Sequence, residues 1–93
     1  MSIEVQEAKD ALERLRKEGY SHVFVWTDLP DTVYPDHTHA TDTAHIVLEG
    51  SIAISVGEDT QTYGPGDRFD VPAETIHSAQ VESSGCTYVV GER

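Results

Sequence analysis

Ninety-three residues with 17 Asp and Glu against 6 Lys and Arg, a net charge of −11 at neutral pH, describe one small acidic domain. Four of the basic residues (Lys9, Arg14, Arg16 and Lys17) precede Gly19 and only Arg68 and Arg93 follow it, so the cations that displace counterions from nucleic acid are missing from most of the chain. No run approaches the roughly 20 apolar residues of a membrane span. Met1-Ser2-Ile3-Glu4-Val5 is not a basic region leading into an apolar one, and a single cysteine, Cys86, forbids an internal disulfide. The expectation is a cytoplasmic protein that binds neither nucleic acid nor membrane. A domain of this length buries only about 60–65% of its unfolded surface, which favours a closed barrel or a dimer over an open sheet.

Residues 3–18 are predicted to be helical. Ala8, Ala11, Leu12 and Leu15 form one apolar stripe at i, i+3, i+4, i+7 spacing. Glu13 and Lys17 form an i, i+4 pair, Arg16 and Lys17 suit the negative end of the helix dipole, and Gly19 supplies the stop. After Gly19 the period falls from about 3.6 to 2. Val23 and Val25 alternate with His22, Phe24 and Trp26, which predicts a first strand. Short strands are then expected at roughly 32–36, 43–48, 51–57, 60–64, 67–71, 77–82 and 86–91. Turn signals separate most of them: Leu29-Pro30-Asp31, Glu49-Gly50, Gly57-Glu58-Asp59, Gly64-Pro65-Gly66 and Ser83-Ser84-Gly85. This is the spacing of an all-β sandwich or barrel. The chain divides into an N-terminal helical segment, 1–19, packed on the barrel's outer face or on a dimer partner, and a β domain, 20–93.

Three of the five histidines, His37, His39 and His45, stand within nine residues. In a strand, alternate side chains share a face, so His37 and His39 can converge on one point, and neutral imidazole is the commonest metal ligand. Further on, Ile46-Val47-Leu48 runs into Glu49-Gly50, Ile52, Ile54 and Val56 return on one face, and His77 lies five residues past Pro72. These residues resemble the two motifs of the cupin superfamily. The first motif reads Gly, five residues, His, any, His, three or four residues, Glu, six residues, Gly; His37, His39 and Gly50 fit it. The second reads Gly, five residues, Pro, any, Gly, two residues, His, three residues, Asn; Gly66, Pro72 and His77 fit it without insertion or deletion. The resemblance covers about residues 20–91. It implies a double-stranded β-helix, or jelly-roll, barrel of six to eight strands with one N-terminal α-helix. It also implies one metal inside near a mouth, held by His37, His39 and His77, and a homodimer like those of similar small members.

The departures bear on the site. The motif glutamate falls on Thr43, a poor metal ligand, the first motif's opening glycine on Asp31, the second motif's inner glycine on Glu74 and its asparagine on Val81. His45 is the candidate for the vacant fourth position: it faces the same side as Thr43, but one step of two residues carries it about 6.6 Å along the strand. It is otherwise an inward histidine that contacts substrate or a ligand residue. Asp42 is a second candidate, or a turn residue. His22 reads as a structural or surface residue. Nitrogen-rich ligation suits a divalent transition metal (Fe, Zn, Ni, Cu or Mn) over Mg or Ca.

Phe69 and Val71 are expected to face inward with Arg68 outside, giving with Ile52 and Ile54 an apolar pocket floor or plain barrel core. Trp26, Tyr34 and Tyr63 are candidates for its rim or for packing, and Cys86 reads as a small buried hydrophobe. With no Lys or Arg inside, an anionic ligand falls to the metal. Two readings follow: a metal-dependent oxygenase, isomerase or lyase acting on a small molecule in the barrel, or a non-catalytic module that binds or senses a small ligand or the metal. Fold alone does not choose between them. A metal-free barrel is the third.

Overall fold

The computed structural model describes residues 5–93. Its elements are α1 (Val5–Lys17), β1 (His22–Asp28), β2 (Val33–His37), β3 (Thr43–Val56), β4 (Asp59–Tyr63), β5 (Arg68–Val71) and β6 (His77–Glu92). Ile3 and Glu4, the start of the expected helix, lie outside the described residues, and Glu18 falls just past the helix end. The helix stops as the sequence requires. Gly19 takes φ +98°, its N–H donates to the Arg16 carbonyl at 3.0 Å, and the Tyr20 N–H reaches back to the Leu15 carbonyl at 3.2 Å. This is the Schellman arrangement, in which a residue in the left-handed region satisfies the last carbonyls. Tyr20 and Leu15 then pack together with Ala11, Ala44, Ile46 and Val89, so the helix lies on the outer face of β1, β3 and β6.

All strand pairings are antiparallel. The path runs β1-β6-β3-β4, with β2 also paired to β6 and β5 to β3. The two long strands replace four expected short ones. Residues 43–48 and 51–57 are one strand, and residues 77–82 and 86–91 are another. Glu49-Gly50 and Ser83-Ser84-Gly85 are therefore bends within strands, not the turns their composition suggests. Both glycines have positive φ, and the β3–β6 register shifts on either side of Gly50. Bends of this kind let one strand serve two faces of a barrel. Val47, Ile52, Ile54, Phe69, Val71, Val81, Tyr88 and Val90 fill the interior between those faces. No described helix is long and apolar enough to cross a membrane.

Arg68 is outside, as its alternation with Phe69 requires. Its guanidinium grips both carboxylate oxygens of Glu18, at 2.7 and 2.8 Å, and also reaches Asp70. This fork ties the end of α1 to β5. The hydrogen bonds from Arg68 hold the Glu18 carboxyl down, from 4.5 to about 2. A depressed carboxyl contributes stability above its unfolded value and loses it as pH falls toward its folded value. Glu18→Gln is therefore expected to lower the melting temperature modestly at pH 6. The gap from wild type should shrink as pH falls from about 5 toward 3 and narrow with salt, since the pair is solvent-exposed. A gap that stays constant over that range in pH-dependent thermal melts would contradict this role.

Candidate metal centre

Two strands and a loop bring the three motif histidines together. His37 ends β2 and His77 opens β6, and the two residues are direct partners in the β2–β6 register. His39 stands in the loop that follows. The His37 and His77 ring centres are 4.2 Å apart, and each is 5.0 Å from that of His39. One ligand atom from each residue lies within 4.8 Å of the others. His77 is buried, while His37 and His39 are partly exposed.

The ring tautomers can be read from the backbone. His37 Nδ1 lies 2.7 Å from the Pro35 carbonyl and His77 Nδ1 lies 2.9 Å from the Thr75 carbonyl. A carbonyl only accepts, so each Nδ1 carries the proton and each Nε2 keeps a free lone pair. Metal-binding histidines are oriented in this way. Burial, with added repulsion from His77 and His37, pushes the His39 pKa below its usual value, which favours the neutral form a metal needs. The donor set therefore fits a divalent transition ion.

The loop that carries His39 and the turn that leads into His77 are tied to each other. The Glu74 N–H donates to the His39 carbonyl at 2.8 Å. The Asp42 carboxylate accepts the Ala73 N–H at 2.7 Å, so Asp42 braces the 72–77 turn. Glu74 and Asp31, the two positions where a motif glycine is replaced in this chain, have φ +63° and +62°. The left-handed conformation persists although the glycines do not, and it costs a non-glycine residue about 1–2 kcal/mol. Glu74→Gly should relieve that strain, offset by about 0.5–1 kcal/mol of extra chain entropy. A rise in melting temperature of a few degrees is expected, with metal content unchanged because the contact to His39 is backbone. A clear fall in melting temperature would contradict it.

His45 stands apart from the trio. Its ring stacks on Phe69 at 4.3 Å and meets Tyr88 edge-on at 5.8 Å. Burial drives its pKa to about 4, only partly opposed by the Phe69 backbone. Its Nδ1 and the Thr43 hydroxyl are buried without a hydrogen-bond partner among the described residues. His22 pairs with Glu92 at 2.9 Å on the surface. Beyond the trio lies a pocket of about 310 Å³, lined by Phe24, Trp26, Tyr34, His45, Ile52, Ile54, Phe69 and Tyr88 among others. That is the lower end of small-molecule sites. Val71 and Tyr63 do not line it; Val71 belongs to the core and Tyr63 packs on Phe69. Cys86 is 3% exposed, and burial, aided by the nearby Asp28 charge, pushes its thiol up to about 12, so it is inert.

The family model of the cupin domain matches residues 24–90. The chain is a cupin. Its fold is similar to that of a cupin-2 domain containing protein from Shewanella frigidimarina, with a TM-score of 0.65, 22% identity, and coverage of 76% of this chain and 69% of the other. It is also similar to the DMSP lyase DddQ from Ruegeria pomeroyi (TM-score 0.70, 22% identity, 76% of this chain and 36% of that one). A third likeness is to Bacillus subtilis oxalate decarboxylase, a protein with Mn(II) centres (TM-score 0.68, 21% identity, 75% and 20%). The cupin thus spans only part of the two named enzymes. No curated protein matches its sequence.

Sequence reasoning missed Asp28. It is buried, and its carboxylate accepts the Trp26 indole N–H at 2.9 Å, the Tyr88 hydroxyl at 2.7 Å and the Tyr34 hydroxyl. The signal was present: Phe24, Trp26 and Asp28 share one face of β1 by period 2. Asp28 adjoins Leu29-Pro30-Asp31, however, and reads there as the edge of a turn.

Proposed function

We propose that this cupin is a metal-dependent enzyme acting on a small molecule in its barrel, in an oxygenase, isomerase or lyase reaction. The observation that carries this reading is the convergence of three imidazoles, two with Nε2 freed by backbone carbonyls, beside an apolar pocket. His37, His39 and His77 would hold the ion, Fe, Zn, Ni, Cu or Mn, with His45 as a fourth ligand only if its ring left the Phe69 stack. Such an ion supplies Lewis acidity and open positions for water or substrate. The chain's own residues bind and orient. Ile52, Ile54 and Phe69 exclude water. Burial and the Asp28 carboxylate raise the Tyr34 and Tyr88 pKa values, so both keep their protons and offer lone pairs to a ligand. The likeness to a lyase and to a decarboxylase with Mn(II) centres supports the reading.

One observation favours a second reading, a non-catalytic ligand module. Glu92, the carboxylate that lines the pocket, pairs with His22, and Asp28 already accepts three hydrogen bonds, so neither carboxylate is free to act as a general base. Incubating the metal-loaded protein with small diols, keto acids and sugars, under oxygen and under nitrogen, separates the two. Turnover abolished by His77→Ala supports the enzyme; measurable ligand binding without turnover favours the module. Exposed Val25, Leu29 and Val33 support a homodimer in either case.

A further inference from the structure

Asp28 carries a negative charge into the barrel wall with no counter-ion among the described residues. It is 6% exposed, and its three partners, Trp26, Tyr34 and Tyr88, are all neutral donors. No Lys or Arg lines the pocket. Arg68 is engaged by Glu18 and Asp70, and Arg93 lies 4.2 Å over the Tyr20 ring. Neutral donors satisfy a carboxylate's lone pairs but not its charge, and in a poorly solvated interior that charge reaches further than in water. The three donors are also pocket-lining rings, joined there by Phe24 and Phe69. Aromatic faces attract cations, and hydrogen bonds to an anion make the phenol and indole rings more electron-rich. This aromatic wall, whose Tyr34 ring lies 6.3 Å from that of His37, is thus negative in both charge and quadrupole.

We propose that this wall is a subsite for an organic cation, and that the pocket takes a small zwitterion with a methylated ammonium group against Trp26, Tyr34 and Tyr88. The anionic end lies toward His37, His39 and His77, a placement that rests on the metal reading above. A methylated cation fits better than a primary amine. The Asp28 oxygens are already occupied, so the wall offers ring surface and few free acceptors, and a quaternary group needs no acceptors. An anionic or neutral ligand would leave the Asp28 charge unanswered.

Calorimetry with matched probes tests this. On EDTA-treated protein, choline is expected to bind at least about tenfold more tightly than its neutral isostere 3,3-dimethyl-1-butanol, on the scale of a desolvated cation–π contact. Asp28→Asn should erase most of that preference. Trp26→Leu, at a half-exposed position that the fold tolerates better, should reduce it too. Equal or tighter binding of the isostere would overturn the proposal. So would a preference that survives in both variants with native melting curves. On protein reloaded with Zn(II), glycine betaine should outbind 3,3-dimethylbutanoate and should bind more tightly than to metal-free protein. A choline preference without any metal effect on betaine would uphold the cation subsite and overturn the metal-anchored orientation.

Discussion

His77→Ala protein, purified without a polyhistidine tag, is expected to carry less than about a tenth of the wild type's metal. Affinity should fall by more than about a hundredfold, because losing even an outer partner of a metal ligand costs about 10–100-fold. His77 is buried beside His37, with Nδ1 fixed on the Thr75 carbonyl. Among the described residues, no fourth His, Cys, Asp or Glu joins the cluster it forms with His37 and His39. His37→Ala should lose metal equally while melting closer to wild type, since His37 is partly exposed. His45→Ala makes the contrast. It should keep the metal and lose about 1–3 kcal/mol of stability by emptying the stack on Phe69. Elemental analysis of the four proteins decides. Equal metal in all would remove the site, and metal loss in a natively melting His45→Ala would make His45 a ligand.

Gly50→Ala is expected to be the most damaging single methyl in the chain. A Cβ there would stand 2.0 Å from the Gly85 carbonyl oxygen, 2.8 Å from its carbon and 2.9 Å from Cys86 Cα. All three are backbone atoms of the crossing strand, so no rotamer relieves the clash, and φ is already +78°. A loss above about 4 kcal/mol is expected, a large share of the roughly 5–15 kcal/mol that holds a small domain folded. Gly57→Ala is the control. Its φ is +60°, but nothing lies within 4 Å of the added carbon, so only the left-handed cost of about 1–2 kcal/mol applies. Urea midpoints should separate the two variants widely. Similar midpoints would mean that the β3–β6 crossing does not set the barrel's shape.

The same crossing marks where sequence reading stopped. A 3.6 period followed by a 2 period locates the helix and the strands, and Gly19 ends the one before the other. Glycine beside serine or glutamate reads as a turn, yet Gly50 and Gly85 are places where two long strands meet. That is a fact of tertiary contact, invisible to local composition. The motif spacing brought His37, His39 and His77 onto one point although four motif residues differ, and the backbone conformation at Asp31 and Glu74 was kept without the glycines. Inward facing was legible for His45 by alternation, but its depth was not; the Phe69 partner comes from the paired β5 strand. Asp28 was hidden for a like reason. Its charge becomes meaningful only with Tyr34 and Tyr88, which arrive from two other strands.

One metal ion is expected among His37, His39 and His77, with His45 taking no part. Anomalous diffraction at the absorption edge of the co-purified metal tests it most directly. The prediction is a single peak bonded to Nε2 of His37 and His77 and to a ring nitrogen of His39, at about 2.0–2.1 Å if the ion is zinc, with His45 still stacked on Phe69. A peak bonded to His45, a peak elsewhere in the molecule, or no peak in metal-loaded crystals would contradict it.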